Sequence, residues 1–592
     1  MSRIVADVRC VDSSEGLVLI PASDRHEVLR LLREAVPDLR LHSSAEGIVV
    51  PSRSTSALLD PPLRDAFRWS PKAEQYAQNR RWVRSEHARV LTAIREVKSG
   101  GKSVAMQLLP DVRESGVLDA HQWVNVACMT IPLSFGLCLF DEQGAGKTVS
   151  LIFAYDLLVQ RDEVDSAIIV APKSMIAEWK NDFHRFKGDL YKIVICTGSR
   201  TEKRRALGAD ADIIVTNFET VVSMERELTA VAGAHSGRTV LVVDESFFAK
   251  NLDAKRTRAL RRLRESCRRA FVLCGTPAPN APEDLVQQFN IVDFGITFDG
   301  VAIPDERDAA IAVVQDAIES RGAYVRHLKA DVLPELTAKR FARVAMPLAP
   351  RQQALYDSAS TRLVEDLHNV TDTEFVRDYQ SFMARRSALL QICSHPVMVS
   401  PDYDEVPAKL RALDELLADL VGQRGEKVVL WSFYRRSLEV LANRYARFGP
   451  VRYDGSVVDV TERRESVRRF QEDDETMLFI GNPAAAGAGL TLHRARIAIY
   501  ESMSNQTAHY LQSLDRIHRR GQQRDVEYLV LLCDGTIEHV EYDRLTSKEQ
   551  AAQALLADDV PLTITREVML AELLRMAPGG EIRRSSVVGA HQ

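Results

Sequence analysis

The run Gly144-Ala145-Gly146-Lys147-Thr148 and the adjacent acids Asp244 and Glu245 are the groups of this chain best suited to phosphate chemistry. Backbone N–H groups in a glycine turn that opens a helix face an anion. An ammonium such as Lys147 then reaches the β- and γ-phosphates, and the Thr148 hydroxyl reaches magnesium. The two acids end the apolar run TVLVV at 239–243. Carboxylates at the C-terminal end of a buried strand lie where ligands bind in open α/β sheets. Asp244 is therefore expected to hold magnesium through water, and Glu245 to orient and deprotonate an attacking water. One residue departs from the general phosphate-loop pattern: Asp141 stands six residues before the lysine, where a glycine is usual.

A third group lies in HYLQSLDRIHRRGQQRDV at 509–526. Gln512, Arg516 and Arg519 are four and three residues apart, so a helix here puts them on one stripe and presents two guanidinium groups to a phosphate. Arginine neutralises the charge that develops in phosphoryl transfer. Arg519 is the first choice for that role and Arg516 the second.

The elements that must position these groups follow from the apolar runs. Between 137 and 274 the chain repeats an apolar strand followed by a polar helical stretch, with runs at 137–140, 167–170, 192–196, 212–215, 240–243 and 271–274. A second set occupies 427–430, 476–480, 497–500 and 527–532. Continuous apolar character marks strands buried on both faces, as in a parallel sheet wrapped by helices. The expected fold is α/β, with two RecA-like parallel-sheet lobes, helical insertions, a nucleotide between the lobes and a small N-terminal α/β accessory domain. Residues 282–409 read as mostly helical, with no run of strands. The boundaries expected are 1–100 for the accessory domain (β-β-α-β, then a charged helix over 70–98), 101–345 for lobe 1, 346–560 for lobe 2 and 561–592 for a tail. The tail, rich in Gly, Ser and Arg from 578, is expected to be disordered.

Composition excludes several classes. Eight cysteines are scattered with no CxxC pair, against a disulfide scaffold or a zinc cluster and in keeping with a reducing, cytoplasmic setting. The longest apolar stretch, 126–140, is broken by Pro132 and Gly136 and is too short to span a bilayer. The N-terminal MSRIVADVRC does not resemble a secretory signal. The formal net charge is -5, so contact with nucleic acid has to be local, in a cleft or stripe.

Taken together, the motifs resemble the Swi/Snf family of DNA-dependent ATPases within the superfamily-two helicases. The resemblance rests on DEQGAGKT at 141–148, DESF at 244–247 with Lys250-Asn251, GTPAPN at 275–280 and the segment from Gln512 to Gln522. Smaller matches are LDAHQ at 118–122, APKS at 171–174 with Trp179, Thr216-Asn217, VLPEL at 332–336, QICSHP at 391–396, DGS at 454–456, AGAGLTL at 486–492 and GTIE at 535–538. The spelling DES and the GLTL after Gly487 look closer to the annealing-helicase-like branch than to chromatin remodellers, and the N-terminal unit weakly resembles that branch's accessory domain.

The resemblance implies an ATP- and Mg2+-dependent translocase on double-stranded DNA. Gln122 would read the adenine edge, and Lys173, Ser174, Thr216, Asn217, Gly487, Gly489 and Thr491 would touch the DNA backbone. It also implies helical protrusions near 313–328 and 351–392. Other proteins of a repair or defence system are expected partners, and a membrane is not. Two rivals stand beside it: a strand-separating DNA or RNA helicase, and an ATP-gated DNA-binding scaffold with weak hydrolysis. The scaffold draws on Phe247, which stands where the family usually has histidine, and on Pro483-Ala484 in the lobe 2 motif. Phenylalanine has no donor or acceptor, so either coupling of hydrolysis to DNA is weaker here or the ring simply packs.

Overall fold

The computed structural model describes residues 4–576 apart from 11–15, 23, 36–41, 44–46, 113–115, 235–237, 250–253, 276, 278–281, 456–459, 485–489, 504–506 and 553–564. The expected tail from 578 lies outside the described residues. The chain forms two compact units, one of residues 1–142, 146–277 and 282–327, the other of 143–145, 278–281 and 328–592.

The first unit holds two sheets. Strands β1 (Ala6–Cys10), β2 (Gly16–Pro21), β3 (His42–Ser43), β4 (Ile48–Pro51) and β5 (Phe67–Trp69) run in the order β3-β4-β2-β1-β5. With the Arg25–Ala35 helix they contain the expected β-β-α-β unit, to which β3 and β5 are additions. A long helix, Pro71–Leu108, follows. Ser70 caps it by accepting the Ala73 N–H at 3.3 Å, and Pro71 suits a first turn whose N–H would go unused. Its early residues Ala73 and Ala77 complete the accessory core, whereas Val90, Leu91, Ile94 and Val97 belong to the core of the next sheet. One helix is thus shared by two cores, with a break at Gly101 (φ 59°).

That next sheet comprises β6 (Gly136–Leu139), β7 (Ser166–Val170), β8 (Ile193–Cys196), β9 (Ile213–Thr216), β10 (Thr239–Asp244), β11 (Arg269–Leu273) and β12 (Tyr324–Val325). Its order is β12-β6-β11-β10-β7-β9-β8 with every pair parallel. Every residue of β6, β7, β9, β10 and β11 is buried, as their unbroken apolar runs require. Since the strands are parallel, the segment after β6 and the acids ending β10 leave the sheet at the same edge.

The second unit is built on β13 (Lys339–Met346), β14 (Val428–Trp431), β15 (Val451–Tyr453), β16 (Leu478–Gly481), β17 (Ile497–Tyr500) and β18 (Val526–Cys533), all parallel, in the order β13-β18-β17-β14-β16-β15. Three expectations change here. The first unit ends at His327 rather than near 345, because β13 pairs with β18 along eight residues. The stretch 282–409 is not strand-free: it holds β12 and β13, and β13 is a half-exposed edge strand with none of the continuous apolar character of a buried one. The C-terminal region includes a packed helix, Arg566–Arg575, whose Met569 and Leu573 join the core of the helical insert formed by Pro350–Asn369 and Tyr379–Ser394. There Arg386 is paired with Glu541 and Glu572. No helix among the described residues is long and apolar enough to cross a membrane.

Candidate active site

The phosphate loop joins β6 to the Lys147–Gln160 helix. Gly144 and Gly146 have φ of 85° and 86°, left-handed values that a side chain resists. A Cβ on Gly146 would also lie 2.2 Å from Gln122 Nε2, so both backbone and space demand glycine there. Ala145 is buried, and Thr148 sits half-buried in the first turn of the helix.

Asp141 is fully buried. Its Oδ2 accepts from Asn125 Nδ2 at 2.6 Å, and its Oδ1 accepts the His327 N–H at 2.8 Å and meets His327 Nδ1 at 2.8 Å. The acid in the glycine position is therefore an anchor, tying the start of the loop to the Ala120–Met129 helix and to the end of the β12 segment. Lys147 is turned onto the loop's own carbonyls, donating to Asp141 O at 2.8 Å and Glu142 O at 3.4 Å. Phosphate oxygens are stronger acceptors than these carbonyls, so the ammonium is held where an incoming anion competes for it. Gln122 is buried and already employed: its Oε1 accepts the Asp119 N–H at 2.9 Å in a capping box. An adenine edge would have to share that amide with the helix cap.

Asp244 and Glu245 are both buried at the end of β10. The Trp179 indole N–H donates to Asp244 Oδ2 at 2.8 Å, and the Glu245 N–H donates to Oδ1 at 2.9 Å. Burial, then the neighbouring Glu245 charge, pushes the Asp244 carboxyl up to about 7, against the opposing pull of the Trp179 hydrogen bond and Lys147. Two acids in so dry a place are a donor set that a divalent cation such as magnesium would relieve, and Asp244 with the Thr148 hydroxyl are the groups that would hold it. Bound there, the ion would neutralise charge on phosphate oxygens. Glu245 has φ 49°, a left-handed conformation uncommon for a residue with a long side chain.

The motif's next residues differ in use. Ser246 Oγ donates to Gln288 Oε1 at 2.5 Å, and Gln288 Nε2 donates to Pro277 O at 2.5 Å and to Asp284 O at 2.9 Å. A fully buried amide thus connects the acid motif to the segment GTP at 275–277. Phe247 takes no part in that link. Its ring stacks on Phe248 with centroids 4.4 Å apart, and Phe248 meets Phe218 at 5.5 Å. The ring is packed, and a polar link from this motif to Pro277 is made from the adjacent Ser246 through Gln288.

In the second unit, the stripe expected of Gln512, Arg516 and Arg519 is not helical throughout. The Thr507–Leu514 helix carries Gln512 and ends before either arginine. Turns follow because tertiary hydrogen bonds claim the backbone: Leu492 N–H donates to Arg516 O at 2.8 Å, and Gln522 Nε2 bonds the His493, Ala495 and Ile517 carbonyls. The two guanidinium groups converge nonetheless. Arg516 Nη1 and Arg519 Nη1 each donate to Leu490 O at 3.3 Å, and Arg519 Nη1 donates to Thr491 Oγ1 at 2.7 Å. Arg516 is 1% exposed, whereas Arg519 is half-buried, which favours Arg519 as the group able to reach a ligand. Asp515 anchors this turn: Lys329 Nζ lies 2.6 Å and Lys339 Nζ 3.6 Å from its Oδ1. Burial raises the Asp515 carboxyl, but the two lysines together hold it below the usual range.

Of the residues expected on DNA, Lys173 and Ser174 are exposed in a short turn after β7. Thr216 and Asn217 are buried: the Thr216 hydroxyl donates to Cys196 O at 2.7 Å and Asn217 Oδ1 caps the next helix at Thr220 N–H, 2.8 Å. Their side chains set the loop's shape. Thr491 is the residue holding Arg519, while Gly487, Gly489, Lys250, Asn251 and Thr276 lie outside the described residues. Trp179 belongs to a motif match without its bond to Asp244 being legible, and Asn125, His327, Gln288 and Lys329 carry no local signal for these roles, since each meets its partner across a sequence separation.

A family profile described as "SNF2-related domain" matches residues 74–398, and one described as "Helicase conserved C-terminal domain" matches 408–521. The chain is 24% identical over 449 residues to the ISWI chromatin-remodeling complex ATPase ISW1 of Saccharomyces cerevisiae, covering 71% of this chain and 38% of that protein. It is 25% identical over 559 residues to the DNA repair and recombination protein RAD54-like of Gallus gallus, covering 82% and 73%. It is 26% identical over 465 residues to the putative ATP-dependent helicase/translocase YwqA of Bacillus subtilis, covering 75% and 49%. The chain therefore spans less than half of the yeast and Bacillus proteins. A solved Sulfolobus solfataricus SWI2/SNF2 ATPase core in complex with dsDNA aligns at 20% identity with a TM-score of 0.36, covering 78% of this chain and 97% of that one.

Proposed function

The chain belongs to the SNF2-related family, and on that footing we propose that it hydrolyses ATP with Mg2+ and uses the cycle to move along double-stranded DNA, remodelling DNA or protein–DNA complexes. The observation that carries the reading is the buried Asp244–Glu245 pair at the same sheet edge as the Lys147 loop. Lys147 and the glycine turn bind the phosphates, Asp244 and Thr148 hold the ion, and Glu245 orients and deprotonates water. Arg519 stabilises charge as the phosphoryl group leaves, and Asp515 with Lys329 keeps the turn in place. Proteins on DNA, or of a repair or defence system, are the proposed partners, in a cytoplasmic setting; the relatives named for repair and remodelling support the first of these. ATP turnover measured with no nucleic acid, duplex, forked DNA, single strands and RNA tests the assignment: duplex should stimulate most. Stimulation by RNA alone would instead support a strand-separating helicase.

Binding to duplex is expected to be salt-sensitive and indifferent to sequence, because phosphate contacts release counterions and read no bases. Isotherms on two unrelated duplexes across a salt series check this. A flat salt response, or a strong preference for one duplex, rejects backbone tracking.

The scaffold reading draws on Phe247, and the Ser246–Gln288–Pro277 connection supports coupled hydrolysis instead. Gln288→Leu is expected to bind ATP normally yet lose most of its DNA stimulation. Phe247→His should keep the stimulation ratio and melt at a lower temperature, since it unstacks Phe248. Basal and stimulated rates measured beside melting temperature separate the two. A raised ratio in Phe247→His would return the coupling role to position 247.

A further inference from the structure

The Lys255–Glu265 helix, KRTRALRRLRE, carries six cations and one acid in eleven residues, within a chain whose net charge is -5. Two roles can be separated by burial. Arg264 is buried, and its guanidinium is consumed by the Phe135, Cys267, Ile291 and Val292 carbonyls. Together with Thr257, Ala259, Leu260 and Leu263 it forms the inward face. The remaining cations, Lys255, Arg256, Arg258, Arg261 and Arg262, are exposed.

Among the described residues, most of that exposed charge meets no acid. Arg262 is bidentate with Glu225, but Lys255, Arg256, Arg258 and Arg261 meet no acid among the described residues. Several surface arginines elsewhere are paired with acids, Arg468 with Glu465 and Glu472, Arg444 with Asp414, Arg351 with Asp404 and Arg385 with Asp366, but no other short helix among the described residues gathers so many cations. Lys255, Arg258 and Arg262, at spacings of three and four, repel one another on one face. Lys255 and Arg256 also occupy the first turn, the positive end of the helix dipole, where an acid would be favoured and none is present. Apart from the Arg262–Glu225 pair, these local terms disfavour the arrangement, and a polyanion outside the chain would compensate it.

We propose that this face is a second contact for the phosphate backbone of duplex DNA, separate from the ATP site and from the loops expected to track the strand. The helix rises about 1.5 Å per residue, so Lys255 to Arg262 spans roughly 10 Å, enough to meet two successive phosphates of one strand. Arg258 and Arg261 contribute along the same exposed side. Guanidinium groups suit phosphate oxygens in paired hydrogen bonds, and such contacts add affinity without reading sequence. Built on the duplex-DNA reading above, the proposal adds to it a site of anchorage that keeps the protein on its track.

The test compares the full-length parent with the quadruple variant Lys255→Gln, Arg256→Gln, Arg258→Gln, Arg261→Gln, and with Arg351→Gln, Arg385→Gln as a control that removes acid-paired surface charge. Duplex affinity is measured from about 50 to 200 mM salt, with melting temperature and ATP turnover at saturating duplex. For the quadruple variant we expect affinity at low salt to fall about tenfold or more. The log–log salt slope should flatten by roughly two to four, near 0.9 for each phosphate no longer neutralised. Saturated turnover and melting temperature stay at parent values, and the control keeps the parent slope. A quadruple variant with parent slope and affinity overturns the proposal and leaves an acidic protein as the partner. Equal flattening per charge removed in variant and control also overturns it, by reducing the effect to net charge. A parent that binds no duplex would sink the duplex reading itself, which is a different result.

Discussion

Glu245→Gln is expected to bind ATP as tightly as the parent and to turn it over some 10²–10⁴-fold more slowly, the usual contribution of a positioned base. The substitution keeps the side chain's size, removes its basicity and removes the buried acid beside Asp244. Ground-state binding is therefore spared while the water loses its proton acceptor. Lys147→Ala fails for the opposite reason. The ammonium now held by Asp141 O and Glu142 O is the group that should transfer to the phosphates, so its loss weakens nucleotide binding itself. Equilibrium binding of a fluorescent ATP analogue, read beside steady-state turnover, distinguishes the two. Parent-rate turnover by either variant would show that the reacting groups lie elsewhere.

Arg519→Ala should leave ATP affinity nearly intact and cut turnover by about a thousandfold, as loss of an arginine finger does. The guanidinium acts on charge that accumulates in the transition state, so its effect belongs in kcat rather than in binding. Its present bonds to Thr491 Oγ1 and Leu490 O hold it ready and are exchangeable for phosphate oxygens. Arg519→Lys restores charge without the planar fork and should recover only a small part of the rate. A parallel loss of affinity and rate would make Arg519 a ground-state phosphate ligand. Arg516, enclosed and bonded to Leu490 O, is expected instead to lower stability when truncated.

Much of this architecture is legible in the chain because its strands are buried on both faces. The runs at 137–140, 167–170 and 240–243 form β6, β7 and β10, and the glycine turn and acid pair fall at their ends. β13 and β15 leave no such mark for a matching reason: one is a half-exposed edge and the other only three residues long. Helical spacing misleads at Arg516 and Arg519, where tertiary bonds from Leu492 and Gln522 replace the helix yet deliver both guanidinium groups to one carbonyl. Least legible are the supports. Asp141 reads as a flaw in the loop, but Asn125 and His327, the latter 186 residues away, grip it. The Ser246–Gln288–Pro277 connection likewise depends on a glutamine whose sequence context resembles any buried helix position.

The Pro71–Leu108 helix has a mechanical meaning beyond its packing. Between Pro71 and the break at Gly101 it is a continuous beam of about thirty residues, roughly 45 Å long. One end is cemented into the accessory sheet by Ala73 and Ala77, and the stretch from Val90 to Val97 is cemented into the core around β6 and β7. Such a beam converts rotation into travel: a tilt of about 10° at its Gly101 end would carry the Pro71 end roughly 8 Å. The accessory sheet is therefore tied to the seven-stranded sheet, so a rotation of either would be carried to the other. Cutting the chain near residue 100 would unseat Val90, Leu91, Ile94 and Val97 from the core around β6 and β7, so the two sheets form one compact unit despite their separate cores.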